Sequence, residues 1–176
     1  MAVELKDFPF WKQLDNELNP YGACNVTSIG MCLYFLGVRG NGDGQLEDQL
    51  YRAMESRGLS RHSPQDLAVI ANHYGARLKP PIHDNFIANA DLSAIKKHLD
   101  LGFPTVVHGY FTSFGHIVCV IGYDDKRQAV LIQDPYGEWY TNGYDNSADG
   151  RYWLSYRTLN RLCAPDGGIW THFFSR

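Results

Sequence analysis

The chain has 176 residues, of which 44% are hydrophobic, 20% charged and 14% aromatic, and its formal net charge is -3. That length suits a single domain over residues 1–176, able to bury roughly two thirds of its unfolded surface without disulfide or metal staples. Lys and Arg are scattered, adjacent only at Lys96-Lys97 and Lys126-Arg127, so the clustered basic footprint of a nucleic-acid binder is excluded.

The start, Met1 to Asp7, has no basic segment leading into an apolar run, and no stretch approaches ~18 uninterrupted apolar residues. The expectation is a cytoplasmic protein without a membrane span. In chain order, Cys24 opens an apolar run through Val26, Ile29, Met31, Leu33 and Phe35 that stops at Gly37, which predicts a buried helix. A turn-rich stretch follows at Gly40-Asn41-Gly42-Asp43-Gly44, then a second helix over about 45–57. The third helix starts at Ser63 as cap with Pro64 in the first position and Asp66 completing a variant capping box, and Gly75 stops it. A fourth, over 91–101, ends at Gly102.

After Pro104 the period changes to that of strands: 105–111, 116–123, 129–133, 151–156 and 169–174. Helices first and strands afterwards predict an α+β fold, N-terminal helices packed on an antiparallel sheet of about five strands. Residues 138–150, rich in Gly, Asn and Asp, have the composition of a lid. Eleven tyrosines, many in the last third, suit an aromatic-walled cleft or a tyrosine-rich sheet surface.

The four cysteines (Cys24, Cys32, Cys119 and Cys163) include no CxxC pair, so neither a disulfide scaffold nor a structural zinc site is expected. Cys24 differs from the others by position. A helix N-terminus carries about half a positive charge, which favours a thiolate, and Asn19-Pro20-Tyr21-Gly22 is a turn that presents the residue. By itself such a cysteine is equally a small core residue. A thiolate nucleophile also needs a base and a group to orient that base.

His116, between Gly115 and the apolar run 117–123, supplies the base if the strands around Asp124-Asp125-Lys126-Arg127 form a hairpin. With the turn centred on Asp125, His116 lies directly opposite Asp134, β-carbons about 5 Å apart. A half-residue shift sets His116 opposite Pro135 instead. Asp134-Pro135-Tyr136-Gly137 reads equally as a turn capped by its aspartate. For the oxyanion of a tetrahedral intermediate, the Cys24 N–H and the side-chain amide of Gln13 are the candidate donors.

Gln13 with Asp15-Asn16, Gly22-Ala23-Cys24, Gly115-His116-Ile117-Val118 and Asp134-Pro135-Tyr136-Gly137 occur in one order, with Gly-Phe-Pro-Thr-Val-Val-His-Gly at 102–109 between them. This pattern, over roughly residues 8 to 140, resembles the double-glycine-leader peptidase-like branch of the papain-like cysteine peptidases. The resemblance implies Cys24 as nucleophile, His116 as base and acid, Asp134 as orienter and Gln13 as oxyanion donor, with no cofactor or metal. It implies a peptide substrate built of small residues, either a Gly-Gly leader or a bacterial cell-wall stem peptide. Asn16, Tyr21, Tyr136 and Trp139 are the candidate substrate-binding positions; the tail after Gly137, with Trp139, Tyr140, Tyr144 and Trp153, has no counterpart in the family pattern and is a candidate for setting the substrate. Ala23 and Asn25 depart from the glycine or tryptophan that many relatives carry beside the nucleophile.

Three alternatives stand beside this reading. The same triad performs acyl transfer to an amine in transglutaminase-like relatives, and a silent domain of the same fold binds peptide without cleaving it. His108, one strand before His116, joins His116 and Asp134 as a three-ligand metal set. His62, His73, His83 and His98 are expected on polar faces, His172 packed in its strand, and Cys119 on the face opposite His116.

Overall fold

The structure, a computed structural model, describes residues 1–42 and 44–176; of the expected turn at 40–44, Asp43 lies outside the described residues. Helix α1, Cys24–Phe35, is apolar on nearly every side and buried from Asn25 to Leu33. It runs beneath α2, Leu46–Ser56, and α3, Pro64–Gly75, whose first turn is capped by Ser63 accepting from the Asp66 N–H. Helix α4, Leu92–Asp100, begins at Asp91, whose carboxylate accepts from the Ala94 N–H. These four agree with the sequence reading within two residues at each end.

The sheet is larger than expected. Seven strands form it: β1 (Ala2–Glu4), β2 (His83–Ala90), β3 (Thr105–Gly109), β4 (His116–Asp124), β5 (Ala129–Gln133), β8 (Arg151–Ser155) and β9 (Ile169–Ser175). Their order is β2-β9-β3-β4-β5-β8, with β1 paired to β4. Two short strands, β6 (Glu138–Tyr140) and β7 (Gly143–Asp145), form a separate hairpin within residues 138–150. A fifth helix, α5 (Tyr156–Cys163), follows β8 directly, capped by Ser155 accepting from the Thr158 N–H. The fold is α+β, and one continuous apolar core joins the helices to the sheet.

Strand β4 organises the rest. On one side it pairs with β5; on the other, residues 116–120 pair with β3 and residues 122–124 with β1. A bulge makes this possible. Partner numbers sum to 253 near the turn (Asp124 with Ala129) and to 252 beyond it (Val120 with Ile132), which leaves Ile121 as an extra residue. The Ile121 carbonyl accepts from the Leu5 N–H at 2.8 Å, so the bulge is tied to the chain leaving β1.

Next to it, Gly122 leaves room for β1. A β-carbon there would sit 2.5 Å from the Val3 carbonyl oxygen and 3.1 Å from the Glu4 Cα. Gly122→Ala therefore has to lift β1 off the sheet, and we expect a loss of about 1–3 kcal/mol. Denaturant unfolding should show a lower midpoint at unchanged slope.

Packing of α1 on the sheet fixes the end of the molecule that carries Cys24. The Ser28 hydroxyl donates to the Ile117 carbonyl at 3.0 Å, and the Cys119 thiol donates to the Ser28 carbonyl at 3.4 Å. Cys119 also lies 3.8 Å from Cys32, sulfur to sulfur. Both thiols are buried, and burial, then the Cys119 neighbour, pushes Cys32 well above its ordinary pKa. Among the described residues no helix is long and apolar enough to cross a membrane.

Candidate active site

Cys24 is the first residue of α1, delivered by a 3₁₀ turn at Pro20–Gly22 that follows Asn19 in the left-handed region at φ 50. No side chain caps this helix at Ala23, although the Asn25 carboxamide oxygen accepts from the Val26 N–H at 2.8 Å. The charge of the helix terminus is thus directed at the thiol. The turn is clamped from behind: Asn25 donates to the Arg61 carbonyl, and the Arg61 guanidinium donates to the Gly22 carbonyl, both at 2.9 Å. Arg61 stacks 4.0 Å over the Tyr51 ring. Cys24 is partly exposed, whereas Cys32, Cys119 and Cys163 are buried.

His116 starts β4 immediately after Gly115, which sits at φ 84. Its Nε2 lies 2.7 Å from Asp134 Oδ1, and both side chains are buried. Nε2 being engaged, Nδ1 is the ring atom left for Cys24. The two are not directly opposed, as the sequence reading has them. The observed register, continued one residue past β5, sets Asp134 across from Val118, diagonal to His116 on the same face, a separation of about 7–8 Å between backbones that two side chains can span. The displacement has two causes: a four-residue turn at 125–128 and the bulge at Ile121. Without the bulge, the register of 122–124 would set Pro135 across from Val118 and turn Asp134 to the other face.

Asp134 accepts four hydrogen bonds. Oδ1 takes His116 and the Tyr136 N–H at 2.8 Å; Oδ2 takes the hydroxyls of Tyr144 and Tyr152, each at 2.9 Å. The turn-capping and histidine-orienting readings of Asp134 therefore coexist on one oxygen. Burial and then the Asp134 charge push both tyrosine hydroxyls far above their ordinary pKa, so they act purely as donors. Burial alone pushes His116 down, but the Asp134 carboxylate and then the neighbouring Cys24 outweigh it and raise its pKa to about 10. The rings of Phe111, Tyr136 and Tyr144 surround the imidazole edge-on, with centroids 6.1, 6.0 and 5.7 Å away.

Gln13 is buried beside this cluster. Its backbone N–H donates to the Pro135 carbonyl at 2.9 Å, which ties it to the Asp134 turn. Its Nε2 donates to the Pro20 carbonyl at 3.0 Å, and among the described residues its second amide N–H and its buried Oε1 have no partner. Asn16 is buried and donates to the Thr27 hydroxyl at 3.1 Å, so its amide braces α1. Tyr21 is 81% exposed. Trp139 donates from Nε1 to the Phe111 carbonyl at 3.0 Å and, with Phe111, Tyr140 and Arg161, lines a cavity of about 310 Å³.

The metal alternative at His108 is overturned by the strand register. His108 pairs with Ile117 while Gly109 pairs with His116, so His108 points to the opposite face from His116. There its Nε2 meets His172 Nε2 at 3.0 Å, and His172 Nδ1 lies 2.7 Å from Asp84 Oδ2. Burial, then the neighbouring His172, lowers His108 to about 3. His172 is buried, whereas His62, His73 and His83 are exposed; His98 departs from the reading, half-buried against the Phe174 carbonyl.

Tyr152, Phe111 and Arg61 were not legible as site residues, nor was Tyr144 as a partner of Asp134. Tyrosines clustered after Asp134 were the available signal, but no spacing rule links a tyrosine ten or eighteen residues on to a carboxylate. Tyr144→Phe should cut kcat/KM about tenfold, the loss of about 1.4 kcal/mol of alignment. Tyr152→Phe, at a more buried position, should lower stability by about 1–3 kcal/mol in denaturant unfolding.

A family model described as Peptidase C39-like matches residues 5–164. No curated protein matches the chain. Among solved structures, a Bacillus anthracis protein described as C39-like peptidase superposes with a TM-score of 0.66 at 16% identity, covering 100% of this chain and 98% of its own. That likeness is one of fold. Xylellain, a cysteine protease from Xylella fastidiosa, superposes with a TM-score of 0.47 at 14% identity, covering 99% of this chain and 86% of its own.

Proposed function

The chain belongs to the Peptidase C39-like family, and from that premise we propose that it hydrolyses a peptide amide bond with Cys24, His116 and Asp134 as its triad and Gln13 as an oxyanion donor. The observation that carries this reading is the 2.7 Å bond from His116 to a buried, four-fold satisfied Asp134, with Cys24 among the groups that raise the histidine.

The Cys24 thiolate attacks the carbonyl carbon, and the oxyanion accepts from the Cys24 N–H and the uncommitted N–H of Gln13. His116 gives the Nδ1 proton to the leaving amine as the C–N bond breaks, leaving a thioester. His116 then takes a proton from water, the hydroxide adds to the thioester carbonyl, and the thiolate leaves with the histidine protonated again. Asp134 keeps its charge throughout, holding the Nε2–H tautomer and orientation. Residues 1–176, as one domain, carry every group used.

For substrate we propose a peptide of small residues, a cell-wall stem peptide or a Gly-Gly leader, with Tyr21, Tyr136 and Trp139 as its contacts, while Asn16, buried and bonded to Thr27, acts by bracing α1. Iodoacetamide should label Cys24 ahead of Cys32, Cys119 and Cys163, as read by peptide mapping, because Cys24 alone among them is partly exposed. Uniform or core-cysteine labelling would sink the assignment. Zymography on purified cell wall, beside a Gly-Gly leader peptide assay, then decides between the substrates. An amine added to either assay reports acyl transfer if it is incorporated into the product.

A further inference from the structure

Glu47 is a carboxylate that the proposed chemistry does not use. It lies in the first turn of α2, is 3% exposed, and faces a cavity of about 410 Å³. Phe10, Trp11, Lys12, Asp15, Gln45 and Leu46 line it with Glu47, and the Lys12 ammonium lies 5.8 Å over the Phe10 ring. Among the described residues no side chain is bonded to Glu47, and its own backbone N–H is the one group favouring its charged form. Burial, with Asp15 and Asp48 adding repulsion, outweighs that bond and raises Glu47 to about 7.

The neighbouring charges are committed elsewhere. Asp48 accepts the N–H groups of Glu17 and Leu18, both at 3.0 Å. Lys12 turns its ammonium to the carbonyls of Asn146 and Ser147, at 3.2 and 3.4 Å, so it does not neutralise Glu47. A buried, unpaired carboxylate in a cavity lined by aromatic rings is complementary to one kind of group: a cation that pairs with the acid and lies against the ring faces. An ammonium meets a single carboxylate as a point charge, and an alkyl stem suits the aromatic lining.

We propose that the cavity between Trp11 and Glu47 is a binding site for an alkylammonium group. It stands apart from the hydrolytic reading, since neither residue belongs to the triad. The ammonium sits against Glu47 with Asp15 contributing from the lining, and its alkyl chain lies along Trp11 and Phe10. Peptide lysines and free polyamines both carry this chemistry.

Calorimetric titration with butylammonium chloride tests it. Binding is expected at pH 8, at least tenfold weaker in Glu47→Gln, and several-fold weaker in Asp15→Asn. In the parent protein it should weaken several-fold at pH 6, as Glu47 takes up a proton, the other facing groups being Asp15, Asp48 and Lys12. Butanol should not bind. Equal binding of butanol, unchanged affinity in Glu47→Gln, or no butylammonium binding at pH 8 would each overturn the proposal. Should Glu47→Gln fail to fold, the butanol and pH comparisons on the parent protein still decide. N-acetyl-lysinamide and putrescine, titrated alongside, identify the source by whichever binds tighter.

Discussion

Cys24→Ala is expected to abolish turnover while leaving the unfolding free energy within about 1 kcal/mol of the parent. Alanine is the best helix former, and it replaces a partly exposed residue at the start of α1, so the helix keeps its terminus and its packing on β4. No neighbouring group can stand in as nucleophile. Cys32 and Cys119 are locked against each other in the core, and Cys163 is buried and pushed up to about 12 by that burial. The variant also removes one of the two charges that raise His116, so the imidazole should titrate at lower pH by NMR. Measurable hydrolysis by a folded Cys24→Ala protein would place the nucleophile elsewhere.

Asp134→Asn and Asp134→Ala should separate charge from geometry. Asparagine can keep its carbonyl oxygen toward His116 and the Tyr136 N–H, while its amide donates to the Tyr144 and Tyr152 hydroxyls, which rotate to accept. The fold should survive and only the negative charge is lost. A histidine raised to about 10 contributes stability fully below its unfolded pKa of ~6.5, and loses it as pH rises through about 10. In Asp134→Asn that window should shrink, with the alkaline limb of kcat/KM falling toward ~6.5 and the rate at pH 8 dropping roughly 10- to 100-fold. Asp134→Ala instead strands four buried donors, and about 3–5 kcal/mol of stability should go with them. An alkaline limb that stays near pH 10 in Asp134→Asn would remove Asp134 from its proposed role.

Much of this architecture was legible in the sequence because its signals are local. Ser63 and Asp91 cap helices where expected, since a cap needs only a side-chain oxygen and an N–H three residues on. Strand β2 is not predicted because His83 to Ala90 shows no clean alternation and takes its place from pairing with the distant strand 169–175. The signal for α5 was present in Ser155 and the spacing of Leu159, Leu162 and Cys163, but no glycine or proline separates it from β8. The meeting of His116 with Asp134 was reached through a register that differs from the observed one. Both registers have the same parity, and parity alone decides the face; the bulge at Ile121 that restores it has no sequence signature.

The placement of β9 bears on how the sheet is held together. Residues 169–175 lie inside it, between β2 and β3. In the sheet order β9 is the neighbour of β2, and it flanks β3 on the side away from β4, the strand that carries His116. Removing β9 would detach β2 and leave β3 paired along one edge alone. A segment that supplies no group to the proposed chemistry thus supports the strand on which the histidine sits.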